Sequence, residues 1–560
     1  MPPVVSEVLS SLVPLRLNCS ESGPALDCIF FTTDVLKTYI KGGKNLFSSI
    51  TSGAVHGIRS YLIQVEVDAS KGLPCFQMVG LLGNEVREAR ERVKVALKNA
   101  GLPLPPMCIN VSLSPADMHK GGALFDLPVA VGILTALEYL PENSAEDTVI
   151  IGELGLNGEV KPVKGVLPIV REAQKQGMKR CILPKDNAAE GAVVQNIEII
   201  GVSGIIEVLS YLRKEEGRKH ELISPTKIDV HALLTRKQGD TQPDFADVNG
   251  QEGVKRAAEI AAAGFHHLLI VGPPGSGKTM IAKRIPTILP PMSLEESMEV
   301  SEVYSISGLL APKEALITNR PFVAPHHTIT RQALAGGGKV PVPGMVTLAH
   351  RGVLFLDELP EFKRETIDIL RQPLEDKYIQ LARSSGSYLY PADFMMVGAM
   401  NPCPCGYYPD MQKCSCTPYE VHRYLERISG PILDRIDICV EASALKLSEL
   451  TDTGRQESSE QIRARILDAR RIQQKRFEGT KLRFNTDMGV EDIRKYCALG
   501  LAEERLMEQF FRKLNLTARG YHRILKVART IADLAGAKDI GEAHLTEALC
   551  YRVADYKNLK

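Results

Sequence analysis

The period of the apolar positions changes along the chain, and the changes divide it into parts. From Thr51 to Leu212 short strand-like runs alternate with helical ones: Tyr61–Val67 predicts a strand and Asn84–Asn99 a charged amphipathic helix. Residues 46–212 therefore read as one α/β domain. The stretch opening at Arg213 (RKEEGRKHE) is polar and charged with few apolar anchors, which assigns 213–243 to a linker. A second α/β module occupies 244–457. In it Glu259–Ala263 reads as the end of a helix, Leu268–Gly272 as a buried strand, and Thr279–Leu289 as the helix after a glycine-rich loop. Over 458–560 long amphipathic helices dominate; Ile524, Val527, Ala528, Ile531 and Leu534 share one face of Tyr521–Leu534.

Residues 1–45 fit none of these patterns. Lys41-Gly42-Gly43 is what a purine-rich ribosome-binding sequence yields when translated, and a non-AUG start codon could encode Leu46. Two readings stand side by side: a segment outside the native protein, or a disordered or lineage-specific extension.

Composition changes this picture little. At 560 residues, 44% hydrophobic and 24% charged, the chain can bury several cores. Lys and Arg total 68 against 67 Asp and Glu, so any nucleic-acid surface must be local. One candidate is Arg455–Arg529, with 18 basic against 10 acidic residues, although solvated helix faces give similar swings. The 12 cysteines, in a long chain without a secretory signal, do not indicate a disulfide framework, and a cytoplasmic location is expected. Leu124–Leu140 is broken by Asp126, Pro128 and Glu138, so no membrane span is expected.

The chemistry is concentrated in the second module. Gly272-Pro273-Pro274-Gly275-Ser276-Gly277-Lys278-Thr279 matches the phosphate-loop pattern between a strand and a helix. Its glycines let backbone N–H groups face phosphates, the helix N-terminus adds a positive dipole end, Lys278 reaches the β- and γ-phosphates, and Thr279 holds Mg2+. A second apolar strand, Val353–Leu356, ends in Asp357, placed to bind Mg2+, and Glu358, placed to polarise the attacking water. The pair implies an ATPase. Further on, Cys403-Pro404-Cys405 and Cys414-Ser415-Cys416 bracket eight residues; four thiolates so close can close a tetrahedral zinc site, while free thiols and a redox switch remain open. The adjacent His326 and His327 are expected to face different ways and not to form a zinc site.

Met396–Asn401 resembles the strand that carries the first sensor of AAA+ proteins, with Asn401 at the γ-phosphate or the water. Pro431–Asp437 resembles the arginine-finger segment of magnesium chelatase and MCM-type ATPases. Arg435 would then act in a neighbouring subunit, unless it forms an ordinary ion pair with Asp434 or Asp437. Thr517-Ala518-Arg519 resembles the second sensor. Phe322–His350, with its Gly336-Gly337-Gly338 turn, resembles the helix-2 insert, and Tyr378–Pro391, turning at Ser385-Gly386, the pre-sensor hairpin. There Lys377 and Arg383 are candidates to meet DNA phosphates.

Ser52–Gly57 with Lys71–Pro74, Asn401–Gly406 and Ala528–Leu534 together resemble the YifB/ComM family of magnesium-chelatase-like ATPases. The resemblance covers 46–553. It implies an α/β multidomain chain: a Lon-protease-like N-domain, a P-loop AAA+ module of the helix-2-insert clade and a helical C-terminal lid. It further implies ATP and Mg2+, a homo-hexameric ring, DNA binding and branch migration in recombination or uptake of transforming DNA. A chelatase-type motor subunit and a nucleotide-dependent chaperone or scaffold are the alternatives. Laid on the Lon motifs, the chain has Leu124 at the serine position and Leu167 at the lysine position, so no proteolysis is expected.

Overall fold

The computed structural model describes residues 46–235, 243–338, 341–383, 386–444, 456–514 and 516–551. The segment 1–45, with both readings of its origin, lies outside them.

β1 (Leu46–His56) and β2 (Arg59–Ser70) pair antiparallel, from Leu46 opposite Ala69 to His56 opposite Arg59. Their alternation has a physical cause: Ile63, Val65 and Val67 of β2 point into a core while their neighbours are wetter. β2 pairs antiparallel with β4 (Cys108–Ser114), which carries β3 (Cys75–Val79) in parallel at the sheet edge. On the other side β1 leads in parallel to β5 (Thr148–Ile150), β6 (Arg180–Pro184) and β7 (Glu198–Val202), giving the order β3-β4-β2-β1-β5-β6-β7. Helix α1 (Asn84–Asn99) buries Val86, Ala89, Val93, Ala96 and Leu97, one face at helical spacing. Helix α2 (Asp126–Ala136) is buried throughout, and its Asp126 is bound by the Arg92 guanidinium at 2.7 and 2.9 Å.

Two features of this domain depart from the sequence reading. Cys75 and Cys108 lie opposite one another on β3 and β4 and form a disulfide, with Cα atoms 4.4 Å apart. Strand register, which spacing does not reveal, brings them together. The beginning of the polar linker also packs against the domain. After α4 (Ile205–Arg213), Lys219 is buried and pairs with Glu216 at 2.6 Å, and Glu216 also takes a 2.6 Å bond from Arg180. Long cationic side chains can bury their stems, here beside the Tyr211 ring, and so substitute for apolar anchors.

The second module is built on five parallel strands. β8 (Leu268–Val271) lies between β13 (Met395–Met400) and β14 (Ile438–Glu441); beyond β13 come β10 (Val353–Leu356) and β9 (Phe322–Val323). β8, β10 and β13 are buried along their whole length, as a sheet covered on both faces requires. Helices α5 (Glu252–Gly264) and α6 (Lys278–Ile288) lie beside β8, and α7 (Leu294–Ser307) leads to the insert. In the insert, Gly336–Gly337 pairs antiparallel with Val342–Pro343, so the first two glycines of the expected turn are strand residues. The reason is steric: a Cβ on Gly336 would lie 2.5 Å from the Val342 carbonyl oxygen. The hairpin expected over Tyr378–Pro391 forms as β11 (Tyr378–Arg383) and β12 (Gly386–Pro391); Ser385 of its expected turn lies outside the described residues.

The C-terminal helices α8 (Ser459–Arg476), α9 (Leu501–Lys513), α10 (Ala518–Leu534) and α11 (Glu542–Cys550) share a core with the module: Ile462, Ile524, Val527 and Ile531 join Val254, Ala258, Ile281 and Ile285. Much of their basic excess is neutralised internally. Arg465 pairs with Glu259 and Glu457, Arg476 and Arg529 with Asp533, and Arg483 with Glu296 and Glu299.

The first domain meets α7 through α3 (Val166–Lys175). Arg171 bonds Glu302 at 2.8 Å, the Gly165 amide donates to the Ser305 carbonyl at 3.2 Å, and the Ser305 hydroxyl donates to buried Glu190. Leu124 and Leu167, the residues at the Lon serine and lysine positions, are both buried.

Candidate nucleotide site and cysteine cluster

β8 delivers the phosphate loop at its C-terminal end, where open parallel sheets bind ligands. Gly272 admits no side chain, since a Cβ would lie 2.5 Å from the Ala442 carbonyl oxygen. Gly275 and Gly277 take φ of +78° and +84°, with open space where a Cβ would point. The turn runs directly into α6, with Lys278 as its first residue.

The Lys278 ammonium donates to the Gly272 carbonyl at 2.7 Å, to the Pro273 carbonyl at 2.9 Å and to Asn401 Oδ1 at 3.1 Å. Burial pushes its pKa down, partly offset by Asp357. The Thr279 hydroxyl donates to Asp357 Oδ2 at 2.7 Å. Adjacent strands β8, β13 and β10 thus bring Lys278, Thr279, Asn401 and Asp357 to one sheet edge. Asp357 Oδ1 accepts the Glu358 amide at 3.0 Å, and Glu358 itself turns left-handed at φ 51°, its side chain largely exposed. Among the described residues the buried Ser276 hydroxyl has no partner. Inward-turned glycines, a buried cation, an orphaned hydroxyl donor and a hydroxyl–carboxylate pair fit a triphosphate with its divalent ion.

Arg435 and Arg519 stand elsewhere. Arg435 is buried, donates to the Pro431 carbonyl at 2.6 Å and pairs with Glu375 at 2.6 Å; Arg519, exposed at the start of α10, reaches the same Glu375 at 3.3 Å. Glu375 is thus the partner of Arg435, where the sequence reading considered Asp434 or Asp437. Asp437 is committed to His266 at 3.4 Å and Arg523 at 3.6 Å. Lys377 is likewise engaged, with Asp487 and with Asp393 at 3.5 Å, which removes it from the expected set of phosphate contacts. Arg383 remains exposed near the tip of its hairpin.

Three contacts were missed by sequence reasoning. His327 Nδ1 lies 3.3 Å from Glu358 Oε2, while its ring packs 4.1 Å from that of His326; the two rings keep together rather than facing different ways. Gln251 donates to the Ser276 carbonyl at 3.2 Å and the Ser443 carbonyl at 2.6 Å, tying the phosphate loop to the chain beyond β14. Glu375 is the third. The histidine pair was the one local signal; nothing in the sequence marks the other two.

The four cysteines converge. Cys403, Cys405, Cys414 and Cys416 place their sulfurs within 4.8 Å of one another. Cys403 and Cys414 are buried with Val421, and Tyr408 and Leu425 pack against this small core beside the other two thiols.

Comparison with known proteins agrees with this architecture. The family profile of magnesium chelatase, subunit ChlI, matches residues 244–450, that of subunit ChlI of Mg-chelatase 65–187, and that of the ChlI C-terminal part 456–552. Competence protein ComM of Haemophilus influenzae is 41% identical over 507 residues, 90% of this chain and 97% of that protein. The chain belongs to the ComM/YifB family of magnesium-chelatase-like AAA+ ATPases. YifB of Escherichia coli, described as uncharacterized, is 40% identical over 511 residues, 91% of this chain and 97% of that protein. An archaeal Lon protease of Pyrococcus abyssi is 33% identical over 151 residues, 26% of this chain and 15% of that protein. Family membership implies ATPase activity and, with it, ATP and Mg2+. No helix among the described residues is long and apolar enough to cross a membrane.

Proposed function

We propose that the chain is an ATP-driven ring motor acting on DNA, promoting branch migration of recombination intermediates or handling transforming DNA during uptake. The observation that carries this reading is the sheet edge at which Lys278 meets Asn401 and Thr279 meets Asp357, in a chain 41% identical to a competence protein. Lys278 and the loop amides hold the phosphates, Glu358 takes a proton from the attacking water, and Asn401 orients it. Thr279 and Asp357 would hold Mg2+, which supplies charge stabilisation at phosphate oxygens. Arg435 acts on the site of the next subunit in a homo-hexamer, and Arg519, which shares Glu375 with it, serves as the second sensor of the nucleotide. The helical C-terminal domain serves as the lid, and Phe322–His350 serves as the helix-2 insert, facing the ring channel with Arg383. The four cysteines take a structural zinc ion.

The test is ATP hydrolysis by purified protein with and without forked DNA. DNA stimulates turnover, and Lys278→Ala abolishes both turnover and strand exchange. If branched DNA neither binds nor stimulates, the DNA reading fails; if no ATP is split in any oligomeric form, the motor reading fails with it. A magnesium chelatase-type subunit is the second reading, favoured by the ChlI profiles. It predicts turnover indifferent to DNA.

A further inference from the structure

The cysteine loop and the phosphate loop touch. Gly406, one residue past Cys405, sits at φ +89°, and a Cβ there would lie 2.5 Å from Pro274 Cδ and 2.8 Å from Cγ. Glycine is required twice, by the left-handed backbone and by the proline ring against it. The Gly406 amide donates to Cys403 Sγ at 3.2 Å, and the Tyr408 amide to the same sulfur at 3.4 Å.

The sulfur spacing fits a tetrahedral ion. A Zn–S bond of about 2.3 Å places sulfurs about 3.8 Å apart at the corners of a tetrahedron. Here Cys403–Cys405, Cys405–Cys414 and Cys403–Cys414 are 3.3, 3.5 and 3.7 Å apart. Apart from the cysteines, only Tyr408, Val421 and Leu425 join the small core under the loop between Asn401 and the helix Pro418–Leu425, so a metal cross-link would add order there. What that order fixes is the wall of the nucleotide site. Gly406 backs Pro274, the position of its absent Cβ is 3.8 Å from Asn401 Cγ, and Asn401 holds Lys278.

We propose that zinc in this tetrathiolate and nucleotide in the phosphate loop are thermodynamically coupled through the Gly406–Pro274 contact, each tightening the binding of the other. The inference rests on the ATP-motor reading, including its zinc ion. Its physical basis is pre-organisation: a metal-ordered loop restricts Pro274 and Asn401 before nucleotide arrives, so less conformational entropy is lost on binding.

The experiment uses full-length protein. Zinc is measured by atomic spectrometry, and affinity for a fluorescent ADP analogue by titration of zinc-loaded, chelated and zinc-restored samples, with circular dichroism as a check on folding. About one zinc per subunit is expected. Chelation weakens ADP binding roughly fivefold or more, and restored zinc reverses the loss. Linkage demands the reciprocal effect, so ADP raises the concentration of a colorimetric chelator needed to remove half of the zinc at equilibrium; this competition starts from loaded, folded protein and decides the matter even if the stripped protein unfolds. Pro274→Ala removes the ring that meets Gly406 and makes ADP affinity insensitive to zinc. The proposal is overturned by protein that neither carries nor takes up zinc, by zinc affinity unaffected by ADP, or by undiminished coupling in Pro274→Ala. Absence of nucleotide binding in every metal state would instead sink the motor reading, and this inference with it.

Discussion

Glu358 directly follows the carboxylate that pairs with Thr279, yet its left-handed backbone turns it toward His327 and solvent. On the proposed reading, a side chain so placed serves the chemistry rather than the fold. Glu358→Gln should lower ATP turnover by roughly a hundredfold or more while leaving nucleotide affinity within a small factor, as read by phosphate release and fluorescence titration. Lys377 and Arg383 illustrate the converse. Both were candidates for DNA contact by their charge and their place at the expected hairpin, but Lys377 pairs with Asp487 and Asp393 inside the subunit. Lys377→Met should therefore destabilise the protein by about 1–3 kcal/mol in chemical unfolding, through loss of the cation that Asp487 and Asp393 share, although Arg351 and the Arg483 and Phe484 amides still serve them. Arg383→Ala should leave stability unchanged and reduce only the stimulation by DNA.

Between elements, α7 joins the insert side of the module to the C-terminal helices. Its Glu299 accepts from Arg351 at 2.8 Å, lies 3.4 Å from His350 and 3.5 Å from Arg483. Burial opposes its charge, but His350 and Arg351 outweigh burial and hold the carboxyl down from 4.5 to about 2. A carboxyl whose folded pKa is depressed stabilises above its unfolded pKa and loses that contribution as pH falls toward the folded one. Unfolding midpoints should thus drop between about pH 4.5 and 2, and Glu299→Gln should flatten this part of the acid limb. The elements themselves were largely legible: α1 spans Asn84–Asn99 as its periodicity indicates, and α10 buries the face marked by Ile524, Val527 and Ile531. Periodicity reports on one element against a core. It carried no information on the Gly336–Gly337 pairing or on Lys219, whose burial depends on Tyr211 and Glu216.

At the scale of the whole molecule, a single subunit holds Lys278, Thr279, Asn401 and Asp357 at one edge, whereas Arg435 and Arg519 gather on Glu375. If Arg435 acts across a subunit boundary, a mixture decides it. Arg435→Ala alone should lower turnover by roughly a thousandfold, and Glu358→Gln alone by roughly a hundredfold. Rings assembled from both should regain activity, because some interfaces pair an intact Glu358 with an intact Arg435. Mixed assemblies as inactive as their parents would place both groups in the same subunit's site.

The linear order of residues by itself determined the phosphate loop, the carboxylates of β10, the two Cys-x-Cys pairs and most helices and strands. In each, the chemistry or the period is carried by residues a few positions apart. Only the tertiary structure decided that Glu375 gathers Arg435 and Arg519, that His327 meets Glu358, that Gln251 ties down Ser276, that Cys75 faces Cys108, and that Gly406 lies against Pro274. Those pairs join residues from separate segments, brought together by strand order, register and packing. No local spacing encodes such contacts, because they exist only once the sheets have assembled.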